Sequence, residues 1–340
     1  MSGSVDGAAS TGRTASTQGT DSARGARQDA VRVRVPAKVN AQLAVGGARP
    51  DGYHDLANVF LAVGLYDEVT VARGTPGEGP VLTCTGPDAA QVPLDATNLA
   101  ARAALALADR HGIAPDVRIH IAKDIPVAGG MAGGSADGAA ALLACDTLWG
   151  LGTPQDELLA LCAGLGSDVP FSLLGGAALG TGRGEQLTPL PVGGTFHWVF
   201  AVADEGLSTP RVFQEFDRLT AGADVPPPAA DPALLTALRA GDAPALAKAL
   251  ANDLQRAALS LRPALRTTLA AGTEAGALAA LVSGSGPTTA FLTADTEAAH
   301  RVAAGLTASG TCRTTRVAAS PARGARVVAG SADPAAGAGA

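Results

Sequence analysis

Aromatic side chains are scarce, only 3% of the 340 residues, with two tryptophans and two tyrosines. A core made from this chain must therefore rest on aliphatic layers. Cysteine is equally sparse: Cys84, Cys145, Cys162 and Cys312 form no CxxC pair and no Cys/His cluster. That spacing argues against zinc and reads as four reduced, buried small hydrophobes of a cytosolic protein. Positive charge is not in excess either. A formal net charge of -6 excludes the basic face that a nucleic-acid-binding surface needs. No run of about 18 apolar residues is free of charge, so no segment reads as a membrane span. Residues 1–29 lack the apolar centre of a secretory signal, and Asp6, Asp21 and Asp29 fit an organellar transit peptide poorly. They are expected to form a disordered tail, as is the low-complexity end at 321–340.

Alanine and glycine fill the space the other residues leave; there are 43 glycines. The length predicts two domains. "VRVRVPAKVNAQLAV" (31–45) alternates as a strand, with Pro36 confined to an edge or bend. "YDEVTVAR" (66–73), "VLTCTG" (81–86) and "VRIHIAKDIP" (117–126) read as further strands. Between them, "TNLAARAALALADRHG" (97–112) reads as a helix capped by Thr97 or Asn98 and closed by Gly112. Helices are expected at about 135–149 and at 153–166, the second with Thr153 as cap and Pro154 at its first position. A buried strand (195–206), a helix from Ser208 or Thr209 and a mobile connector (221–232) follow. Two or three helices then run to about Ala271. A strand, glycine loop and strand (280–293), a helix (296–309) and a strand near 313–319 complete the order. Strands and helices mix without regular alternation, which favours an α+β fold in two domains.

The stretch "IPVAGGMAGGSADGAAALLA" (125–144) places Gly129, Gly130, Gly133 and Gly134 within six positions and then opens a helix. Each glycine costs about 0.5–1 kcal/mol of order relative to alanine, so the segment has a use beyond connection. It lacks the lysine of a phosphate-binding P-loop, because Ser135 stands in that place. Its spacing also cannot supply the dinucleotide fingerprint. What remains is a strand, a glycine turn and a helix N-terminus, whose backbone N–H groups can cradle a polyphosphate without any lysine in the loop. A glycine turn chosen only for tight packing stays open as the alternative.

The segment resembles the ATP-phosphate loop of the GHMP kinase superfamily, which Pro126, Gly129, Gly130, Gly133, Gly134, Ser135 and Ala139 fit. One departure is Ala136, where many members carry a second serine. "VPAKVNAQLAV" (35–45) followed by "RPDGYHDLANVF" (49–60) narrows the resemblance to the kinases of that superfamily acting on 4-diphosphocytidyl-2-C-methyl-D-erythritol. "LGSDVPFSLLGGAALGTGRGE" (165–185) resembles the catalytic-aspartate segment and "SGSGPT" (283–288) the third glycine loop. The likeness runs from about Val31 to Ser320.

That resemblance implies a two-domain GHMP kinase fold with the active site in the cleft between domains. Residues 30–190 would hold the phosphate loop and 191–320 would close over it. It implies a cytoplasmic enzyme using ATP and Mg2+, with a small-molecule partner and neither nucleic acid nor membrane. Pro126, Val127, Ala128, Gly129, Gly130, Met131, Ala132, Gly133, Gly134, Ser135 and Ala136 would hold ATP, with Ser135 as a magnesium contact. No carboxylate cluster announces a protein-built metal cage.

Taken alone, Lys38 reads as a snorkelling lysine and Asp168 as a helix N-cap. Within the matched motifs they correspond to the catalytic pair, and a cap could serve both roles. A Tyr-His pair after a turn is ordinarily packing, yet the resemblance gives Tyr53 the role of stacking on the cytosine and His54 that of hydrogen-bonding it. Phe213 would cover the other face of the base, Thr209 would touch substrate, and Asn40 would reach the methylerythritol hydroxyls. His111, His120, His197 and His300 read as structural. Two other readings stand beside this one: a kinase of another small alcohol, homoserine or mevalonate in type, and a nucleotide-binding homologue without catalysis.

Overall fold

The computed structural model describes residues 29–127 and 129–328. Its frame is a long antiparallel hairpin of β1 (Ala30–Ala48) and β2 (His54–Arg73). The turn between them closes through Gly52 N–H on the Arg49 carbonyl, with Gly52 at φ +80. The register shifts three times, between Pro36 and Ala37, between Asn40 and Gln42, and between Val45 and Ala48. Pro36 therefore sits at an irregularity, where a missing N–H does least harm.

β3 (Val81–Thr85) and β4 (Val117–Ala122) extend the sheet in the order β4 then β3 beyond β2. β5 (Ala177–Thr181) pairs with the first half of β2, and β6 (Gln186–Pro189) pairs with β5. Against this sheet lie α1 (Leu99–His111), α2 (Gly133–Trp149) and α4 (Val169–Leu174), with α3 (Gln155–Leu165) packed on those helices. α2 is buried nearly all round, from Ala136 to Leu148, which is why it is so rich in alanine: larger side chains would hold its neighbours off. Gly138 shows how close they come, since a Cβ there would lie 3.1 Å from Leu99 Cβ.

The second sheet has the order β11-β7-β10-β9, made of β7 (Phe196–Val202), β9 (Ala279–Val282), β10 (Thr289–Thr293) and β11 (Thr314–Ser320). On β7, Phe196, Trp198 and Phe200 join the main core while Val199 and Ala201 pack with α10 (Thr296–Ser309). This is the period-two alternation of a sheet covered on both faces. Between β7 and β9 run α5 (Thr209–Thr220), α6 (Pro232–Ala240), α7 (Ala243–Ala249), the two-residue β8 (Ala251–Asn252), α8 (Gln255–Leu261) and α9 (Leu265–Glu274).

Several expectations change. Four helices, not two or three, lie between the 221–232 connector and β9. β2 begins twelve residues before Tyr66 because "HDLANVFLAVGL" is buried on both faces and shows no alternation to read. Asn98, not Thr97, caps α1, accepting from Ala100 N–H. Thr153 does not cap α3; its N–H donates to Asp146 and its hydroxyl pairs with His111, and Pro154 stands at the N-cap. The connector at 221–232 has little regular structure but is tied down: Gln42 donates to the Ala229 carbonyl and accepts from Asp231 N–H. The expected tail from 321 does not begin there. β12 (Arg326–Val328) returns to pair with Arg32, Val33 and Arg34 of β1, covering an edge that would otherwise be open. Residues 1–28 and 329–340, where the remaining tail expectations fall, lie outside the described residues.

Candidate active site

Lys38 and Asn40 leave β1 on one face, two residues apart, while Ala37, Val39 and Ala41 face the core. Only 5% of Lys38 is exposed. Its Nζ donates to Asn40 Oδ1 (2.7 Å) and to the Gly130 carbonyl (2.8 Å), and lies 3.8 Å from Asp168 Oδ2. Asn40 Nδ2 in turn donates to Asn58 Oδ1 on β2, at 2.6 Å. Burial holds the Lys38 ammonium below the ordinary lysine range, and the Asp168 carboxylate pushes it partly back. Asp168 sits at the start of α4, but its side chain makes no capping hydrogen bond; instead its carbonyl accepts from the Ser172 hydroxyl. The expected double role of cap and reactant therefore reduces to a carboxylate turned to Lys38, one-third exposed and open to a ligand.

The glycine stretch arrives directly above this pair. Met131 accepts from Lys38 N–H (3.3 Å), and the Gly130 carbonyl accepts from both Lys38 and Ser283. Gly130 has φ +73 and passes so close to the 283–287 loop that a Cβ would overlap the Ser283 carbonyl. Ala132, at φ +60, is held in the left-handed region where alanine is rarely found. It stands at the N-cap of α2, and no side chain caps that helix. The first-turn amides of Gly133, Gly134 and Ser135 are thus available to an anion. Gly134 is exposed with nothing within 4 Å of a Cβ, whereas Gly133 is buried against Lys123 and Ile125. Ser135 is half-buried beside them and Ala136 is buried. Pro126 and Val127 lead into the loop, Val127 N–H donating to Asp88; Ala128 lies outside the described residues.

The third glycine loop closes the other side. Gly284, at φ +56, brings its Cα side to within 3.0 Å of Lys38 Nζ and 3.2 Å of Asn40 Oδ1 as a Cβ would measure it. Asn252 fixes that loop by donating to the carbonyls of Val282 and Gly284.

At the end of the β1–β2 hairpin, His54 is buried and Tyr53 is half exposed. His54 Nε2 meets Asp217 Oδ1 at 2.8 Å, and its ring packs on Phe213 with centroids 5.0 Å apart and on Phe216 edge-on. Tyr53 stands apart, with the Arg183 guanidinium 5.2 Å from its ring centre. Thr209 Oγ1 pairs with Ser285 Oγ at 2.8 Å, linking the start of α5 to the third glycine loop. Sequence reasoning missed Asn58, Asp217 and Ser285. Asn58 had a signal, an amide inside an apolar run; so did Asp217, one helical turn after Phe213. The four histidines read as structural behave so where contacts define them: His111 with Thr153, His120 with Thr83 and Thr85, His197 with Thr296.

No group of three metal-ligating side chains occurs among the described residues, so a divalent ion here would have to come with phosphate oxygens as most of its ligands. A cavity of about 200 Å3 flanks the approach to the glycine loop, lined by Asp88, Asp124, Pro126, Arg313 and Arg316 among others. Its lining includes neither Lys38 nor Asp168.

Comparison with known proteins matches the GHMP kinases N terminal domain to residues 98–176 and the GHMP kinases C terminal domain to residues 234–312. A 4-diphosphocytidyl-2-C-methyl-D-erythritol kinase of Streptomyces avermitilis is 74% identical over 298 residues, covering 88% of this chain and 99% of its own. The protein of the same name from Thermobifida fusca is 62% identical over 304 residues, 88% and 98% of the two chains. A crystal structure of 4-(cytidine 5'-diphospho)-2C-methyl-D-erythritol kinase superposes with a TM-score of 0.68 at 32% identity, over 85% of this chain and 99% of that one. Homoserine kinase from Cytophaga hutchinsonii shares the fold, with a TM-score of 0.69 at 20% identity over 89% and 99%.

Proposed function

The chain belongs to the GHMP kinases and, within them, to the 4-diphosphocytidyl-2-C-methyl-D-erythritol kinases, and we propose on that premise that Lys38 and Asp168 carry the transfer. It is a small-molecule kinase that uses ATP and acts in isoprenoid precursor synthesis. The acceptor atom in this proposal is the 2-hydroxyl of the methylerythritol.

The observation that carries the assignment of roles is the convergence of Lys38 Nζ, the Asp168 carboxylate and the glycine loop at one point. Phosphoryl transfer has a loose transition state, so the protein chiefly positions the in-line groups and neutralises spreading charge. Asp168 orients the substrate hydroxyl and takes its proton as the new bond forms. Lys38 has three N–H donors; two are committed to Asn40 and Gly130, and the third serves the Asp168 carboxylate and the transferring group. The first-turn amides of α2, with Gly134 leaving the approach open, bind the phosphates. Mg2+ would ride on the ATP phosphates with Ser135 as its protein contact, and would supply charge neutralisation when bound. His54 and Phe213 form the cytosine end, and Tyr53, apart from them beside Arg183, would stack on the base from the hairpin turn. Asp217 fixes the His54 ring, so that Nδ1 is the nitrogen left to face a base. Thr209 lies where α5 meets the third glycine loop, and Asn40 beside the reacting hydroxyl.

The two sheets support a division at about residue 190, with 30–190 as the phosphate-loop domain and 191–320 as the second; β8 and β12 are the strands that return to pair with β1. A cytoplasmic setting is supported by the four free cysteines. ADP release, measured with 4-diphosphocytidyl-2-C-methyl-D-erythritol, with methylerythritol phosphate and with homoserine or mevalonate, tests the reading. Turnover confined to the first compound supports it. Equal turnover of the compound lacking the cytidylyl group, or none with any, contradicts it.

A further inference from the structure

Behind the glycine loop, on the side away from solvent, lies a cluster that the reaction as described does not use. Lys123 follows the last residue of β4, and its Nζ donates to Asp67 Oδ2 (2.5 Å) on β2 and to Asp137 Oδ2 (2.7 Å) on α2. All three side chains are sealed off, with 2%, 0% and 3% of their surface exposed. The other oxygen of Asp67 accepts the N–H groups of Asp124 and Ile125, at 2.7 and 2.9 Å. These are the last residues before Pro126 opens the glycine stretch. The Lys123 main-chain N–H is itself held by the Thr85 carbonyl.

The lysine also explains one of the glycines. A Cβ on Gly133 would sit 2.9 Å from Lys123 Nζ and 3.1 Å from Ile125 Cγ2. Gly133 is therefore small to let the ammonium pass beneath the first residue of α2, whereas Gly134 is small on the open side. One cation thus spans β2, the strand that leads into the loop, and the helix that leaves it.

We propose that Lys123, Asp67 and Asp137 are positioning residues for the transfer, setting the angle at which the first turn of α2 meets the ATP phosphates. This inference rests on the reading of 126–136 as the phosphate loop. Stability alone gives little reason for three buried charges, because a buried ionic cluster is often no more stabilising than apolar residues of the same volume. What an ionic cluster supplies, and an apolar one does not, is a fixed direction between the elements it joins. Burial, together with the nearby Asp67 carboxylate, pushes the Asp137 carboxyl up to about 8, with the Lys123 ammonium opposing. The cluster is one ammonium held between two buried carboxyl groups. The other Asp137 oxygen, Oδ1, is buried and makes no hydrogen bond.

Asparagine is isosteric with aspartate and still offers an oxygen to Lys123, which gives the test its form. Asp137→Asn keeps an acceptor for Lys123, and Asp137→Leu removes it while leaving the Lys123–Asp67 pair balanced, so neither variant strands a buried charge. ATP affinity by calorimetry, KM for both substrates and the thermal midpoint are measured on the full chain at pH 7. Asp137→Asn should hold ATP affinity within about threefold of wild type, and Asp137→Leu should weaken it about tenfold or more, with the KM for the cytidylyl substrate unchanged in both, since small misplacements at a reacting site cost rate and affinity steeply. Wild-type ATP affinity in a folded Asp137→Leu overturns the inference, as does a loss shared equally by both substrates. If Asp137→Leu does not fold, Gly133→Ala, which presses a methyl group on Lys123 Nζ, is read by the same criterion. Gly134→Val is run beside them: loss of ATP binding there with none in Asp137→Leu refutes the positioning role alone, and retention in Gly134→Val refutes the phosphate-loop reading itself.

Discussion

Burial acts on the charge of Lys38, and through it on the reaction. The ammonium is held below the usual lysine range by desolvation, with Asp168 opposing. Loss of the proton as pH rises should therefore remove activity earlier than for a free lysine, so kcat/KM should fall on an alkaline limb lying below about 10.4. The sign for stability is the reverse. Between the lowered folded value and the ordinary one, the unfolded chain binds more protons, so this group makes the protein more stable as pH rises through that window. A pH series of kcat/KM and of thermal midpoint on one sample checks both directions. In Asp168→Asn, which removes the opposing carboxylate, the Lys38 titration followed by 13C NMR of the labelled side chain should move to still lower pH. A Lys38 titration at the free-lysine position in the wild type would show that the amine is not desolvated. At the cytosine end, Tyr53→Ala should remove stacking worth about 1–3 kcal/mol and raise the KM for the cytidylyl substrate about tenfold while the ATP KM stays put. A parallel rise in both would take Tyr53 out of the base pocket.

The helix α2 shows how much of an element can be read from its residues. Its glycine approach and its alanine run were legible, because punctuation by glycine and an uninterrupted helix former are local signals. The direction each glycine faces was not, since direction depends on what the rest of the chain brings alongside. Gly133→Val and Gly134→Val therefore belong to different classes. Valine at 134 enters space with nothing within 4 Å, so circular dichroism and melting should stay near wild type while ATP binding by calorimetry collapses. Valine at 133 meets Lys123 Nζ and Ile125, so it should lower the melting temperature as well. Equal melting temperatures for the two variants would remove the distinction. β5 and β6 escaped notice for a similar reason: "AALGT" and "QLTP" are too short to show a period. Asn98 could be foreseen as a cap because its bond is to the nearby Ala100 N–H, whereas Thr153 could not be excluded as one, because the partner that diverts it, Asp146, is supplied by the preceding helix.

At the scale of the whole molecule, the class of fold and the order of its elements followed from strand alternation and helix signals. The return of β12 to β1 and the eightfold extent of the first sheet did not, because pairings between distant segments leave no local trace. The same holds for the site. Lys38, Asp168 and the glycine loop were legible through short motifs, yet Asn58, Asp217 and the Lys123 cluster are defined by partners 14 to 163 positions away. The proposed reaction centre is itself a product of the whole chain: Lys38 comes from β1, Asp168 from the start of α4, Gly130 from the loop before α2 and Gly284 from the loop joining β9 to β10. The claim that this convergence performs the transfer is tested most directly by the single-turnover rate of Asp168→Asn with ATP and 4-diphosphocytidyl-2-C-methyl-D-erythritol both saturating. The Asp168 side chain caps nothing, so the variant should melt near the wild-type temperature and bind ATP normally. Its transfer rate should nonetheless fall by about 10²–10⁴, the range expected for removing a general base. A rate within a few-fold of wild type would mean that Asp168 neither orients the hydroxyl nor takes its proton, and the account of this centre would be wrong.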